Sequence, residues 1–279
     1  MRSENEDNID HDTVISFGNE WNRFDQSRMT QSEIENGFNE YFDIFPWDLI
    51  NSGSIGFDMG CGSGRWARFV SPKVGHLNCV EPSDAINIAE RELYGFKNIS
   101  FIRGSVTNNN LTNESQDFGY SIGVLHHIPN TRLAIKSCVK LLKSGSPFLL
   151  YIYYALDNRS IFFKITWRAS NLMRKVISKL PLFIRNIVTD IVAVTIYMPL
   201  SILSNILEKI GINTANIPLS YYKNRSFYTM RTDSRDRLGT PLEQRFTKDQ
   251  IKEMMTESGL GEIVFSTHAP FWCAVGIKK

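Results

Sequence analysis

Three glycines stand at every second position in Gly60-Cys61-Gly62-Ser63-Gly64, directly after an apolar run that carries Asp58. Glycine lets backbone approach a ligand closely and take a positive φ. Set between a strand and a helix, such a loop makes a shelf beside a helix N-terminus, where a nucleotide can rest. A dinucleotide loop needs a further glycine where this chain has Arg65, so a diphosphate bridge is not the expected ligand. Glu81 lies 21 residues after Gly60, at the end of the next apolar run. A carboxylate there accepts hydrogen bonds from ribose hydroxyls, so the pattern predicts a ligand that contains ribose. Two adjacent histidines, His126 and His127, follow a later apolar run. Either could take a proton near neutral pH, or simply pack and bond to backbone.

These residues need a frame that brings several loop ends to one edge. The runs "SIGFDMG", "HLNCVEP", "NISFIRG", "DFGYSIGVL" and "PFLLYIYY" read as strands. Between them "RWARFVS", "SDAINIAERELYG" and "TRLAIKSCVKLLKSG" read as helices, with Ser83 as a cap and Pro72, Gly95 and Gly145 as stops. Such alternation predicts an α/β, doubly wound, Rossmann-like sheet with helices on both faces. A further helix, "FTKDQIKEMMTESGL", and two strands joined by a turn at Pro270 close the chain and make a seven-stranded mixed sheet. Residues 155–245 break the alternation and read as a helical insertion after the fifth strand, too long for an ordinary loop. The expected organisation is therefore an N-terminal tail and helical cap at 1–53, a core at 54–154 and 246–279, and an insertion or lid for an acceptor at 155–245.

In their order and spacing, "DMGCGSG", "CVEPSDAINIA", "DFGYSIGVLHHIPN" and "LLKSGSPFLLYIYY" resemble the motifs of class I S-adenosylmethionine-dependent methyltransferases. The likeness is to the small-molecule branch, methyltransferase type 11, related to ubiquinone-biosynthesis enzymes. It covers 54–153 and 247–279. The resemblance implies S-adenosyl-L-methionine as cofactor and S-adenosyl-L-homocysteine as product. Gly60, Cys61, Gly62 and Gly64 would pass under the methionine and ribose, and Asp58 would orient the loop or the cofactor ammonium. Glu81, with Pro82 and Ser83 beside it, would bind the ribose, and Ser105 and Val106 would flank adenine. Gly123 and Leu125 complete the cofactor set. Trp21, in "FGNEWNRF", resembles part of a cap over the cofactor; an aromatic helix docked on the core is the other reading. Many relatives carry an acid where this chain has Ser105. Metal-dependent relatives keep a carboxylate where it has Gly123, so no metal is expected.

The candidates for chemistry are His126, His127 and Tyr154, and for substrate contact Tyr153, Arg159, Tyr228, Arg231 and Arg245. Residues 221–246 show no clear periodicity and read as an irregular polar segment, with Asp233, Arg237 and Glu243 as further pocket candidates. From Asn158 to Thr189 the chain holds seven basic residues and no acid, interleaved with apolar ones. A solvated face, an anionic substrate such as a sugar nucleotide, and contact with a membrane surface all suit that pattern. The uncharged stretch 191–207 reads as a helix pair broken at Pro199 rather than as a membrane span. Net charge is only +2 and no [N/D]PP[Y/F/W] tetrapeptide follows the fourth strand, which argues against a nucleic-acid partner. Four scattered cysteines and a polar start without a secretion signal make a cytoplasmic location the expectation. The reading is a transferase that methylates a small molecule, at oxygen first of all, with a saccharide or sugar nucleotide as fitting acceptors. A module that binds the cofactor or a partner without turnover, and an enzyme acting on a lipid-like acceptor at a membrane surface, are the alternatives.

Overall fold

The computed structural model describes residues 8–26, 28–214 and 217–279; the first seven residues of the N-terminal tail lie outside them. In chain order the elements are α1 (His11–Arg23), α2 (Gln31–Phe42), β1 (Ile55–Met59), α3 (Ala67–Val70), β2 (His76–Val80), α4 (Ala85–Glu92), β3 (Ile99–Ile102) and β4 (Phe118–Ile122). Then come α5 (Thr131–Leu141), β5 (Pro147–Tyr151), α6 (Ile161–Ile177), α7 (Leu182–Val192), α8 (Met198–Lys209), α9 (Phe227–Gly239), α10 (Lys248–Glu257), β6 (Leu260–Phe265) and β7 (Ala274–Lys278). They group into two units. One is Met1–Asp25, Ile34–Asp157 and Leu242–Lys279; the other is Gln26–Glu33 and Asn158–Pro241.

The first unit is built on a seven-stranded sheet in the order β3-β2-β1-β4-β5-β7-β6. Strands β1 to β5 are parallel, and β7 runs antiparallel between β5 and β6, so the closing hairpin makes the mixed edge. Successive residues of a strand point to opposite faces. Phe148 and Leu150 accordingly join a core with Phe57, Leu125, Ile135, Ile251 and Met255. Leu149 points the other way, into a core with Phe38, Phe42, Trp66, Leu77, Phe118 and Tyr120. Helix starts follow local signals: Asn130 accepts from the Leu133 amide at 3.0 Å, and Thr247 and Gln250 form a reciprocal capping box at α10. The segment after the glycine loop holds only the short α3, followed by a 3-10 turn over Ser71–Lys73 that takes in Pro72.

Strand order reverses between β1 and β4, and there the two strands meet through an exchange of glycine and phenylalanine. Gly56 pairs with Phe118 and Phe57 with Gly119. A Cβ on either glycine would collide with the partner strand's aromatic ring. The two rings therefore fill the space that the glycines leave.

The second unit packs Ile177, Val192, Tyr197, Tyr222, Met230 and Leu238 together. Two expectations are corrected in it. Pro199 does not break the helix: Leu182–Lys209 is continuous over 28 residues. A π-helical turn at Ala193–Tyr197 precedes the proline and absorbs its missing N–H and ring bulk, and Pro199 sits in the first turn of α8. The second correction concerns the segment 221–246 read as irregular, the middle of which is the helix α9. It shows no amphipathic pattern because its buried side mixes Met230 and Leu238 with Thr232, Ser234 and Arg235. Arg231 makes a paired contact with Asp190 at 3.1 and 2.8 Å. Arg235 donates to Asn186 at 3.2 Å, and Ser234 to the Thr189 carbonyl at 2.8 Å. Two of the seven basic residues before α8 are likewise internal. Arg174 is buried and donates to the carbonyls of Thr240 and Pro241 at 2.9 and 2.6 Å, and Arg185 reaches those of Leu180 and Gly239.

Replacing Gly119 by Ala should force the Phe57 ring out of place. We expect a loss of roughly 1–3 kcal/mol of stability, read as a lower midpoint of thermal unfolding, whereas the same change at exposed Gly95 should leave the midpoint nearly unchanged.

Candidate active site

The glycine loop leaves β1 with the amides of Gly60 and Cys61 both donating to the Val80 carbonyl, at 2.8 and 3.1 Å. Gly60, Gly62 and Gly64 all hold positive φ, at 79°, 53° and 77°. A side chain at Gly60 would run into Val124, and one at Gly62 would meet the Trp21 indole at 3.2 Å. Trp21, on α1, thus lies directly against the loop. The Arg65 guanidinium stands 5.6 Å from its ring and 4.4 Å from that of Trp66.

Two acids sit beneath this loop. Glu81 accepts from the Gly62 amide at 3.1 Å through Oε2 and from the Ser83 amide at 3.0 Å through Oε1. The Ser83 hydroxyl in turn accepts from the Ala85 amide at the start of α4, and Pro82 between them is half-buried. Burial pushes the Glu81 pKa up, while the Ser83 and Gly62 hydrogen bonds and the Arg103 charge pull it down. Asp58 pairs in register with Tyr120 across β1 and β4. It is buried, and its Oδ2 makes no hydrogen bond. Burial pushes its pKa from 3.8 to about 8, the Tyr120 hydroxyl opposing and the Glu81 charge adding. The buried Ser63 hydroxyl in the loop also has no partner. An unmatched carboxylate oxygen beside the glycine loop is the environment that a cationic group of a ligand would complete.

Ser105 and Val106 follow β3 in a tight turn. The Ser105 hydroxyl accepts from the Asn108 amide at 3.1 Å, and the Asn109 side chain donates to the carbonyls of Ser105 and Val106 at 3.2 and 3.1 Å. The Ser105 hydroxyl thus holds its own loop, and Val106 belongs to the core. Gly123 takes φ of 77° at the end of β4 with open space where a side chain would be, and Leu125 is buried in the next turn. Cys61 is buried, and the neighbouring Cys79, then burial, push its thiol pKa well up.

The second cluster lies beyond β4 and β5. His126 is fully buried, its ring 3.9 Å from that of Tyr153 in a stacked arrangement and 3.9 Å from that of His127. Neither of its ring nitrogens has a hydrogen-bond partner. Burial, then the charges of His127 and Arg245, hold its pKa well below the usual histidine range, so the ring is neutral. His127 points Nδ1 at the Leu242 carbonyl, 2.6 Å away, which places its proton on that nitrogen, and packs edge-on to Phe17 at 4.9 Å. Arg245 donates to Glu243 at 2.7 Å and stands 5.1 Å from the Tyr153 ring. Tyr154 and Phe246 form a bridge, and the Gln244 amide donates to the His126 carbonyl at 3.0 Å. The segment 242–246 is therefore stitched along the ends of β4 and β5, far away in sequence.

The structure thus gathers His126, His127, Tyr153, Tyr154 and Arg245. The other substrate candidates lie in the second unit, engaged there. Arg231 is paired with Asp190, the Tyr228 hydroxyl accepts from the Gln26 amide at 3.0 Å, and Arg159 stands 5.2 Å from the Phe163 ring. Sequence reasoning missed Tyr120, Asn109 and Gln244. Tyr120 carried a usable signal, since in a parallel sheet it lies beside Asp58 at the switch point. Asn109 and Gln244 act through turn geometry and long-range contact and carried none. Among the described residues no three His, Cys, Asp or Glu side chains could hold a metal ion.

The raised Asp58 pKa has a testable sign. A carboxyl whose folded pKa lies above its unfolded one favours the folded state most at low pH and loses that contribution as pH rises through the folded value. The ligand-free protein should therefore lose stability between about pH 4 and pH 8, and Asp58→Asn should flatten that slope in denaturant titrations.

A model for a methyltransferase domain matches residues 57–150, about a third of the chain. Comparison with curated proteins gives no match. Among solved structures, a protein from Bacillus halodurans C-125 named as a methyltransferase is 13% identical and superposes with a TM-score of 0.52 over 83% of this chain and 72% of its own. The protein named as the methyltransferase in a complex with the Trm112 activator of Haloferax volcanii is 11% identical, with a TM-score of 0.51 over 93% and 96%. A Thermotoga maritima protein named as S-adenosylmethionine-dependent, with histamine suggested as its acceptor, is 13% identical, with a TM-score of 0.50 over 94% and 100%. At these identities the likenesses show the fold. The matched segment carries the glycine loop, the second-strand acid and strands β1 to β5. Residues 57–150 thus match a methyltransferase domain, and the core unit has the sheet and fold of class I S-adenosylmethionine-dependent methyltransferases.

Proposed function

We propose that the protein methylates a small-molecule acceptor at oxygen, in the cytoplasm, with S-adenosyl-L-methionine as donor. The observation that carries the reading is the buried, unpartnered Asp58 oxygen beside a glycine loop that Glu81 ties down. The cofactor supplies an electrophilic methyl group on a positively charged sulfonium. Asp58 would hold the cofactor's ammonium, which favours the ionised carboxylate that burial alone disfavours. Glu81 would take the ribose hydroxyls, and Gly60 to Gly64 with Trp21 would enclose the methionine and ribose. The turn at Ser105 and Val106 would meet adenine through backbone groups, since its hydroxyl is already engaged.

An oxygen acceptor has a proton to lose. His126 is neutral, and its ring nitrogens have no partner within the protein, so the ring can take that proton. Its low pKa weakens it as a base but keeps it in the accepting form. Tyr153 fixes the plane of the ring by stacking, and Arg245, locked to Glu243, fixes Tyr153. His127 is a positioning residue, anchored to the Leu242 carbonyl. The four free, buried cysteines support a reducing compartment. The insertion enters the chain straight after β5 and Asp157, where ligands of doubly wound folds bind, and this supports a part in acceptor choice.

Incubation with methyl-labelled cofactor and a small-molecule extract, followed by mass spectrometry, should reveal a labelled metabolite. Cofactor binding without any labelled product would make the protein a binding module instead. Glu81→Ala should weaken cofactor binding by roughly 10- to 150-fold in calorimetry, because a charged hydrogen-bonding partner is lost. On the acceptor found, His126→Asn should lower kcat by roughly 10²- to 10⁴-fold and leave cofactor affinity unchanged. An unchanged kcat would reduce His126 to a packing residue.

A further inference from the structure

The second unit buries polar side chains beside a small apolar core and turns many apolar side chains outward. Its helix α9 buries Arg235, Thr232 and Ser234, whereas α6 to α8 point isoleucine, leucine and phenylalanine outward. In α6 the exposed residues Ile161, Phe162, Ile165, Leu172 and Val176, with Ile161 exposed to 77%, fall in one stripe about 100° wide at 3.6 residues per turn. Exposed Arg168 and Lys175 border that stripe on one side, and exposed Lys179 follows the helix end. The opposite side of α6 buries Arg174 and Ile177. Along Leu182–Lys209 the exposed Phe183, 74% exposed, and Ile187, Ile191 and Val194 repeat at helical spacing.

The cations bordering this surface are exposed, whereas each acid of the unit, exposed Glu208 included, is engaged with a partner. Asp190 pairs with Arg231 and Glu208 with Lys223. Asp233 accepts from Tyr222 at 2.6 Å, Glu33 from Thr229 at 2.7 Å, and Asp236 from Thr240. An apolar stripe with cations at its border complements an anionic lipid surface. A second copy of the chain would instead bring like charges together across a two-fold axis. Leu182–Lys209 is long and apolar enough to cross a membrane. Crossing, however, would carry its other side into hydrocarbon, where Asp190 holds Arg231, Ser201 donates to the Tyr222 carbonyl and the Thr189 carbonyl accepts from Ser234. Such groups are costly at the bilayer centre. Lying in the boundary leaves them on the aqueous side.

We infer that the outward face of α6 to α8 seats in the headgroup–acyl boundary of an anionic lipid bilayer. The face is a docking surface of the second unit, and the inference does not depend on methyl transfer.

Flotation of the whole protein with vesicles tests this without cofactor. The protein should float with vesicles of phosphatidylcholine and phosphatidylglycerol, far less with phosphatidylcholine alone, and less as salt rises. Changing Arg168, Lys175 and Lys179 to Gln should lower the partition coefficient on the order of a hundredfold, at about a fivefold loss per cation. Changing Phe162, Ile165 and Phe183 to Ser should abolish flotation while circular dichroism and the thermal midpoint stay as in the parent, since all three are already exposed. No flotation with anionic vesicles at low salt would overturn the inference. So would flotation that neither triple change alters. A dimer in sedimentation velocity that the serine changes dissolve, with no vesicle binding, would make the face a contact between copies and overturn it equally.

Discussion

The close approach of β1 and β4 governs the rest of the core unit. Gly56 and Gly119 leave room for the rings of Phe118 and Phe57, each supplied by the opposite strand. That exchange sets the register, and the register places Asp58 beside Tyr120 one step further on. It also falls where strand order reverses, the place at which doubly wound folds bind ligands beyond the strands' carboxyl ends. Gly60 to Gly64 follow one of the two strands, and Gly123 to His127 the other. A shift of one residue would turn Asp58 to the opposite face and empty the site of its charge.

The site then concentrates buried groups that an ordinary core would exclude. Glu81 is compensated by two backbone amides, whereas Asp58 is left with an unmatched oxygen. The cost of that burial appears as the raised Asp58 pKa. His126 repeats the theme with the opposite sign, since burial strips its charge and no protein group engages its nitrogens. Unsatisfied polar groups are rare in folded proteins, and those of Asp58, Ser63 and His126 at the ends of β1 and β4 mark the candidate site.

The second unit obeys different rules. Beside a small apolar core, its helices are joined by arginines that donate to helix-end carbonyls and by an arginine–aspartate pair. Polar residues therefore share the buried side of α9 with Met230 and Leu238, while α6 to α8 carry isoleucine, leucine and phenylalanine on their outer face.

Local pattern was enough for the core. Strands announce themselves by short apolar runs, helices by caps and stops, and a glycine loop by residues that tolerate positive φ, so the sheet, the Asp58 and Glu81 positions and the histidine turn were all legible. Seven strands and their alternation follow from the same signals. Other features depend on contacts between residues far apart in the chain, which no local pattern records. The segment 242–246 reaches His126 and Tyr153 only because the chain returns to β5 after the insertion. Arg174 reads as one more cation of a basic face, yet it is buried because the carbonyls of Thr240 and Pro241 come to meet it. Pro199 reads as a break, but a π-helical turn upstream absorbs it. Sequence alone thus determined which elements form and which acids stand at strand ends, because those depend on neighbours along the chain. Tertiary structure decided which polar groups are satisfied, which are left open for a ligand, and which face of each helix meets solvent, because hydrogen bonding and burial are settled only when distant segments pack.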